Sequence, residues 1–259
     1  MISVKHTYIL MCISLFPFLQ KVNAQESYQL GDSIYISLLL ADDYKLTYSK
    51  LLIPSTLVAI GSISFAVPAM KKFDKNTRNE VYIHQPSKTK LDSYVQFFPG
   101  AIVYGLNFSG INGKHNFKDR AIIYATSQLL VSAIVLPSKS LIGEERPDGS
   151  DNRSFPSGHA AIAFSNAHFM YREYRDDNVG LSLSGYPFAI FTGIYRVINN
   201  RHWVTDVVAG AGVGILSTEL SYWIFPKLNS ILSRKKGTDI SVVPFYQQRS
   251  IGFSFVKLF

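Results

Sequence analysis

Two histidines, a carboxylate and three cations stand out between positions 139 and 206. Lys139 precedes Arg146-Pro147. Ser154-Phe155-Pro156-Ser157-Gly158-His159 follows, and Arg196, His202 and Asp206 close the stretch. Lys139 is a compact ammonium, while Arg146 and Arg196 are planar forks able to bind two oxygens of one anion. His202 and Asp206 are four apart at the start of an apolar helical segment, so they share a face. A carboxylate there can accept the imidazole Nδ1 proton and leave Nε2 free as a nucleophile. Ser157 and Gly158 open another apolar helical run, whose first N–H groups and dipole attract an anion. Gly158 lets the backbone come close, Ser157 can donate from its hydroxyl, and His159 can act as general acid. Together these groups suit phosphate transfer.

Taken singly, each cluster has a plainer reading. Lys139 and Arg146 could be a basic membrane flank, Ser157-Gly158 an ordinary helix cap, and His202–Asp206 a structural hydrogen bond. Their joint occurrence, each at a helix end, argues against three coincidences. Lys139-x6-Arg146-Pro147, Pro156-Ser157-Gly158-His159 and Arg196-x5-His202-x3-Asp206 resemble the three signature motifs of the type 2 phosphatidic acid phosphatase superfamily. That superfamily includes class A acid phosphatases, glucose-6-phosphatase and vanadium haloperoxidases. The resemblance extends through the helical frame from about residue 50 to residue 226. Tyr195 departs from it, standing where the family usually has Ser or Ala, and implies a change in packing or substrate fit.

The resemblance implies that His202 attacks phosphorus to form a phosphohistidine and that Asp206 orients it. His159 would protonate the leaving group and then activate water. Lys139, Arg146, Arg196, Ser157 and the Gly158 amide would hold the phosphoryl group. No metal or other cofactor is implied, because the cations supply the charge. Three alternatives stay open: a soluble periplasmic acid phosphatase, a vanadium-dependent haloperoxidase, and a non-catalytic lipid-binding membrane protein.

The scaffold follows from composition. In 259 residues, 47% are hydrophobic and 17% charged, below the roughly 25% usual for soluble chains. The mean hydropathy of +0.11 leaves membrane and soluble readings open. The net charge of +8 is spread at the ends of apolar segments, as in Lys71-Lys72 and Arg234-Lys235-Lys236. That placement fits a membrane surface or a phosphorylated substrate and argues against nucleic acid. Cys12 is the sole cysteine, which excludes an internal disulfide.

Residues 1–24 read as a signal peptide ending at Val22-Asn23-Ala24, and 25–50 as a surface or interfacial segment. Apolar segments follow at 51–70, 94–111, 121–137, 158–171, 185–198 and 203–225. The 121–137 segment is expected to end at Pro137, and Gly210, Gly212 and Gly214 to admit a closely packed neighbour. The expected fold is all-α: a helical bundle of five or six mostly membrane-spanning helices. A phosphatase domain would cover 51–232. The 233–259 tail reads as a small β-hairpin, with β-formers on either side of Gln247-Gln248-Arg249-Ser250. His84 and His115 are expected in polar loops, His168 as a packed or pore-facing residue, and Glu144 and Glu145 in a solvated loop. Expected partners are a lipid phosphate substrate and the membrane, in a bacterial cell envelope, with the site facing the periplasm.

Overall fold

The computed structural model describes residues 44–84 and 89–233, together with the backbone of 239–247 and 250–258. The expected signal peptide and most of the 25–50 segment lie outside the described residues.

Apolar runs become helices: α1 (Tyr48–Ser62), α2 (Pro68–His84), the single turn α3 (Asp92–Val95) and α4 (Phe98–Phe108). They continue as α5 (Phe117–Ile142), α6 (Gly158–Tyr174), the short α7 (Val179–Leu183), α8 (Tyr186–Ile198) and α9 (Val204–Ser233). Among the described residues, three stretches can cross a membrane by length and composition: Tyr48–Phe65, Phe117–Ile142 and Val204–Leu232. The helices α4, α6 and α8, with 11, 17 and 13 residues, fall short of the roughly 20 residues a bilayer needs. Leu52, Ile53, Leu129, Leu136 and Leu141 project outward from α1 and α5, an apolar surface suited to lipid.

Helix α9 is the central element, packed against α1, α5 and α6. Its glycines serve two neighbours. A Cβ on Gly210 would lie 2.5 Å from the Ser157 carbonyl oxygen, and one on Gly214 would collide with the Ala161 carbonyl oxygen, both on the α6 side. A Cβ on Gly212 would lie 2.6 Å from the Pro54 carbonyl oxygen of α1. The expected close approach is therefore double, because spacings of four and two put glycines on opposite faces. Side-chain hydrogen bonds add to this packing: Ser165 Oγ meets Thr218 Oγ1 at 3.0 Å, joining α6 to α9.

Several boundaries differ from expectation. Pro137 lies inside α5, which runs on to Ile142 and ends at Gly143 in the left-handed region (φ 65°). A proline removes one N–H bond, and the surrounding helix survives that loss. Lys139 is thus in a last helical turn, while Arg146 sits in the following loop. The apolar segment 51–70 is divided between α1 and the start of α2, and residues 71–84, not assigned from sequence, make up the rest of α2. His84 ends that helix and is not in a loop. In the tail, Asp239–Gln247 pairs antiparallel with Ser250–Leu258, Gln247 opposite Ser250, in the expected hairpin register.

Candidate active site

Every candidate residue lies at one end of the bundle. Lys139 is in the last turn of α5, and Ser157, Gly158 and His159 start α6. Arg196 is in the last turn of α8; His202 just precedes α9 and Asp206 lies in its first turn. Helix ends carry the unpaired backbone groups and dipole charge that make such positions useful for ions.

Two loops are stitched together to achieve this. Arg146 Nη1 donates to the Arg201 carbonyl (3.1 Å), and Arg201 Nη1 pairs with Asp148 Oδ2 (3.1 Å). Trp203 Nε1 donates to the Glu145 carbonyl (2.8 Å), and Ser157 N to the Asp206 carbonyl (3.0 Å). Asn200 turns the second loop with φ 59°, a conformation Asn tolerates. Asp74 of α2 anchors the start of α9 by accepting from Thr205 N (3.2 Å) and Thr205 Oγ1 (2.5 Å).

The cations are held from behind. Lys139 Nζ donates to the carbonyls of Arg153 (2.7 Å) and Ser154 (3.1 Å). Arg146 Nε pairs with Asp151 Oδ1 at 2.7 Å. Arg196 Nη1 pairs with the buried Asp92 at 2.9 Å, while Arg196 Nε is buried with no partner among the described residues. Lys139, Arg146 and Arg196 are close enough for their charges to act on one another and on His159.

His202 is 2% exposed, and its Nδ1 faces Asp206 Oδ2 and Ser154 Oγ, each at 3.5 Å. Asp206 Oδ2 also accepts from Ser154 Oγ (2.5 Å) and Trp203 N (2.9 Å). Burial pushes the His202 pKa down to about 4, although Asp206 opposes the shift. The ring is therefore neutral near pH 7, with Nε2 turned away from its carboxylate. His159 Nε2 lies 3.3 Å from Ser93 Oγ.

Ser157 is fully buried, and its Oγ accepts from Ala160 N (3.4 Å) as the helix cap. That uses a lone pair and leaves the hydroxyl proton available. A Cβ on Gly158 would meet only Val135 Cγ1, at an ordinary 3.5 Å, so protein packing does not require glycine there.

Sequence reasoning missed Asp92, Ser93 and Asp74, and gave Ser154 no role. Nothing in the local sequence marks Asp92 or Ser93, because they reach the site through tertiary contacts more than 60 positions away. Glu144 corrects the solvated-loop expectation. Its Oε2 and Asp206 Oδ1 are both buried, and the two carboxyl groups share a side-chain hydrogen bond. Burial, then the Asp206 charge, raises the Glu144 pKa to about 8.

His115 lies in the loop before α5, as expected, and its Nδ1 meets Glu173 Oε1 at 2.8 Å, in a buried network with Arg120 and Tyr222. His168 is packed, as expected, between Tyr186 OH (2.7 Å) and Glu219 Oε1 (2.6 Å). Tyr195 packs on Phe191, with ring centroids 4.4 Å apart.

The chain is similar to several known proteins. Over 137 residues the chain is 39% identical to a lipid A 1-phosphatase of Porphyromonas gingivalis, covering 52% of this chain and 31% of that protein. The chain thus spans about a third of that relative's length. Over 195 residues it is 27% identical to the bacitracin transport permease protein BcrC of Bacillus licheniformis, covering 67% and 89% of the two chains. Among solved structures, LpxE of Aquifex aeolicus is 21% identical with a TM-score of 0.41, covering 58% of this chain and 92% of that one. A PAP2-type phosphatidylglycerolphosphate phosphatase from Bacillus subtilis is 19% identical with a TM-score of 0.46, covering 71% and 99%. Residues 120–230 match the family model described as the PAP2 superfamily, and this stretch holds all three motifs. The similarity to the PAP2 superfamily thus covers residues 120–230 of the chain.

Proposed function

We propose that the chain is a membrane phosphatase that hydrolyses a lipid phosphate without a metal, through a phosphohistidine. The observation that carries this reading is the buried His202, neutral and held through Nδ1 by Asp206 and Ser154, at the bundle end where three cations gather.

His202 Nε2 attacks phosphorus, and the bond from phosphorus to the leaving oxygen breaks. Burial and the nearby Arg196 and Lys139 charges hold the His159 pKa down to about 4 in the free site. The incoming phosphate's negative charge is what lets His159 carry the proton that it gives to that oxygen. Neutral His159 then takes a proton from water as the water attacks phosphorus, and the phosphorus–nitrogen bond breaks. Inorganic phosphate leaves and His202 is neutral again. Lys139, Arg146 and Arg196, with Ser157 and the Gly158 amide, stabilise the charge on the five-coordinate phosphoryl group. Removing one such donor typically costs about 10²–10³ in rate.

The favoured substrate is a lipid A phosphate, with phosphatidic acid and undecaprenyl diphosphate as the other members of the class. Similarity to a lipid A 1-phosphatase supports that order. The phosphatase unit is taken as residues 51–232, preceded by a signal peptide (1–24) and an interfacial segment (25–50), and followed by the hairpin tail (233–259). Arg234-Lys235-Lys236 after the last apolar helix favours a cytoplasmic C-terminus. The site, at the other end of α9, then faces the periplasm from the inner membrane.

The test is phosphate release by purified protein from lipid A, phosphatidic acid and undecaprenyl diphosphate, with EDTA present. His202→Ala should abolish release while the melting transition is kept. Near-normal turnover by that variant sinks the nucleophile assignment, and inhibition by EDTA reversed by Mg²⁺ sinks the metal-free mechanism. A vanadate requirement would favour the haloperoxidase reading.

A further inference from the structure

Glu144 takes no part in the chemical steps, yet its carboxyl lies against Asp206. It follows Gly143, whose left-handed turn ends α5. Ser154 N donates to the Glu144 carbonyl at 2.9 Å, while Ser154 Oγ donates to Asp206 Oδ2 at 2.5 Å. One serine thus fixes both the backbone of Glu144 and the side chain of Asp206. Beside it, Glu144 Oε2 and Asp206 Oδ1 are buried, and the two carboxyl groups share a hydrogen bond.

An ionised carboxylate only accepts, so two of them cannot share a hydrogen bond. One of the pair carries a proton, and two like charges side by side away from water demand the same. The surroundings say which one. Asp206 Oδ2 already accepts from Ser154 Oγ and Trp203 N and faces His202 Nδ1, so Asp206 is built as an acceptor. Asp74 of α2, the third carboxyl nearby, also accepts with both oxygens, from Thr205 N and Thr205 Oγ1. Glu144, desolvated and beside the Asp206 charge, is left to hold the proton, and the exposed Lys71 of α2 opposes this only in part.

We infer that Glu144 is a positioning residue: as a neutral acid it donates to Asp206 Oδ1 and so fixes the carboxylate that faces His202. This role rests on His202 as the nucleophile. Neutral Glu144 leaves one negative charge behind the imidazole, matching the positive charge the ring gains when Nε2 bonds to phosphorus. Ionised Glu144 breaks that hydrogen bond and sets a second negative charge beside the place of an anionic substrate. Burial, then the Asp206 charge, pushes the Glu144 pKa up to about 8, so the donor is present at neutral pH and lost in mild alkali.

The test uses the full-length chain in detergent. Infrared difference spectra should show the carbonyl stretch of a protonated carboxylic acid that fades as pH rises through about 8, and Glu144→Gln should remove it. Phosphate release from lipid A, phosphatidic acid and undecaprenyl diphosphate is then followed against pH. Glu144→Ala should lower kcat by about 10-fold with KM little changed. Glu144→Gln keeps a donor but cannot ionise, so it should recover most of that loss. Lys139 and both histidines are common to wild type and Glu144→Gln, so the part of the alkaline fall in kcat that the variant removes belongs to Glu144. The proposal is overturned if the infrared band is absent or survives Glu144→Gln, if the two pH profiles coincide, or if Glu144→Gln loses as much as Glu144→Ala. Should Glu144→Ala not melt cooperatively, or no lipid be hydrolysed, the infrared arm decides. His202→Ala, run alongside, separates the readings: release that survives it sinks the nucleophile, whereas release lost there with coincident pH profiles sinks only the role of Glu144.

Discussion

Two histidines, His202 and His115, each face a buried carboxylate, one pair at either end of the bundle. At the His115 end, Glu173 is saturated: His115 Nδ1, His115 N, Arg120 Nε and Tyr222 OH all converge on it. At the His202 end, Asp206 takes bonds from Ser154 Oγ, Trp203 N and the neighbouring Glu144 carboxyl, and three cations stand nearby. A satisfied network with its charges balanced rigidifies a core, whereas one beside clustered cations can receive an anion. The histidine–carboxylate pair alone therefore says little. What surrounds it separates structure from chemistry.

The sharpest break of this comparison is Asp206→Asn against Glu173→Gln. Asp206→Asn should lower kcat by about 10²–10⁴ with little loss of folding, measured by phosphate release and melting. Glu173→Gln should do the reverse, leaving Arg120 buried and unpaired and costing about 3–5 kcal/mol in stability. Equal effects of both variants on kcat would erase the distinction.

Asp92→Asn comes next. It removes the charge that holds Arg196, so KM for the phosphate ester should rise along with a fall in kcat of about 10-fold to 100-fold. A change in Tm without a kinetic change would make Asp92 purely structural. Ser154→Ala should have a smaller effect, about 10-fold in kcat, since Trp203 N still holds Asp206 Oδ2.

The smallest expected effect is Glu144→Gln, read as stability against pH. The Glu144 pKa is raised from 4.5 to about 8 in the fold, so the folded state binds the proton more tightly than the unfolded chain. This group's contribution is complete below pH 4.5 and is lost as pH rises towards 8. Melting temperatures of wild type should fall through that window relative to Glu144→Gln. Parallel curves would place Glu144 outside the buried charge balance.

Much of the site was legible because its chemistry is local. Ser157-Gly158-His159 at a helix start and His202-x3-Asp206 on one helical turn need only their own backbone to be arranged. The apolar runs likewise announced the helices, and the tail's β-formers announced its hairpin. Asp92, Ser93, Asp74 and Glu144 were not legible. Each matters through a partner brought close by folding, and no spacing in the chain encodes such a meeting.

The sequence by itself thus determined the candidate reacting groups and the apolar frame, because residue type sets charge and nucleophilicity, and helical periodicity sets which neighbours share a face. Only the tertiary structure set apart the carboxylate beside clustered cations from the one locked in a core network. That distinction rests on which charges surround each carboxylate, and those come from helices far apart in the chain.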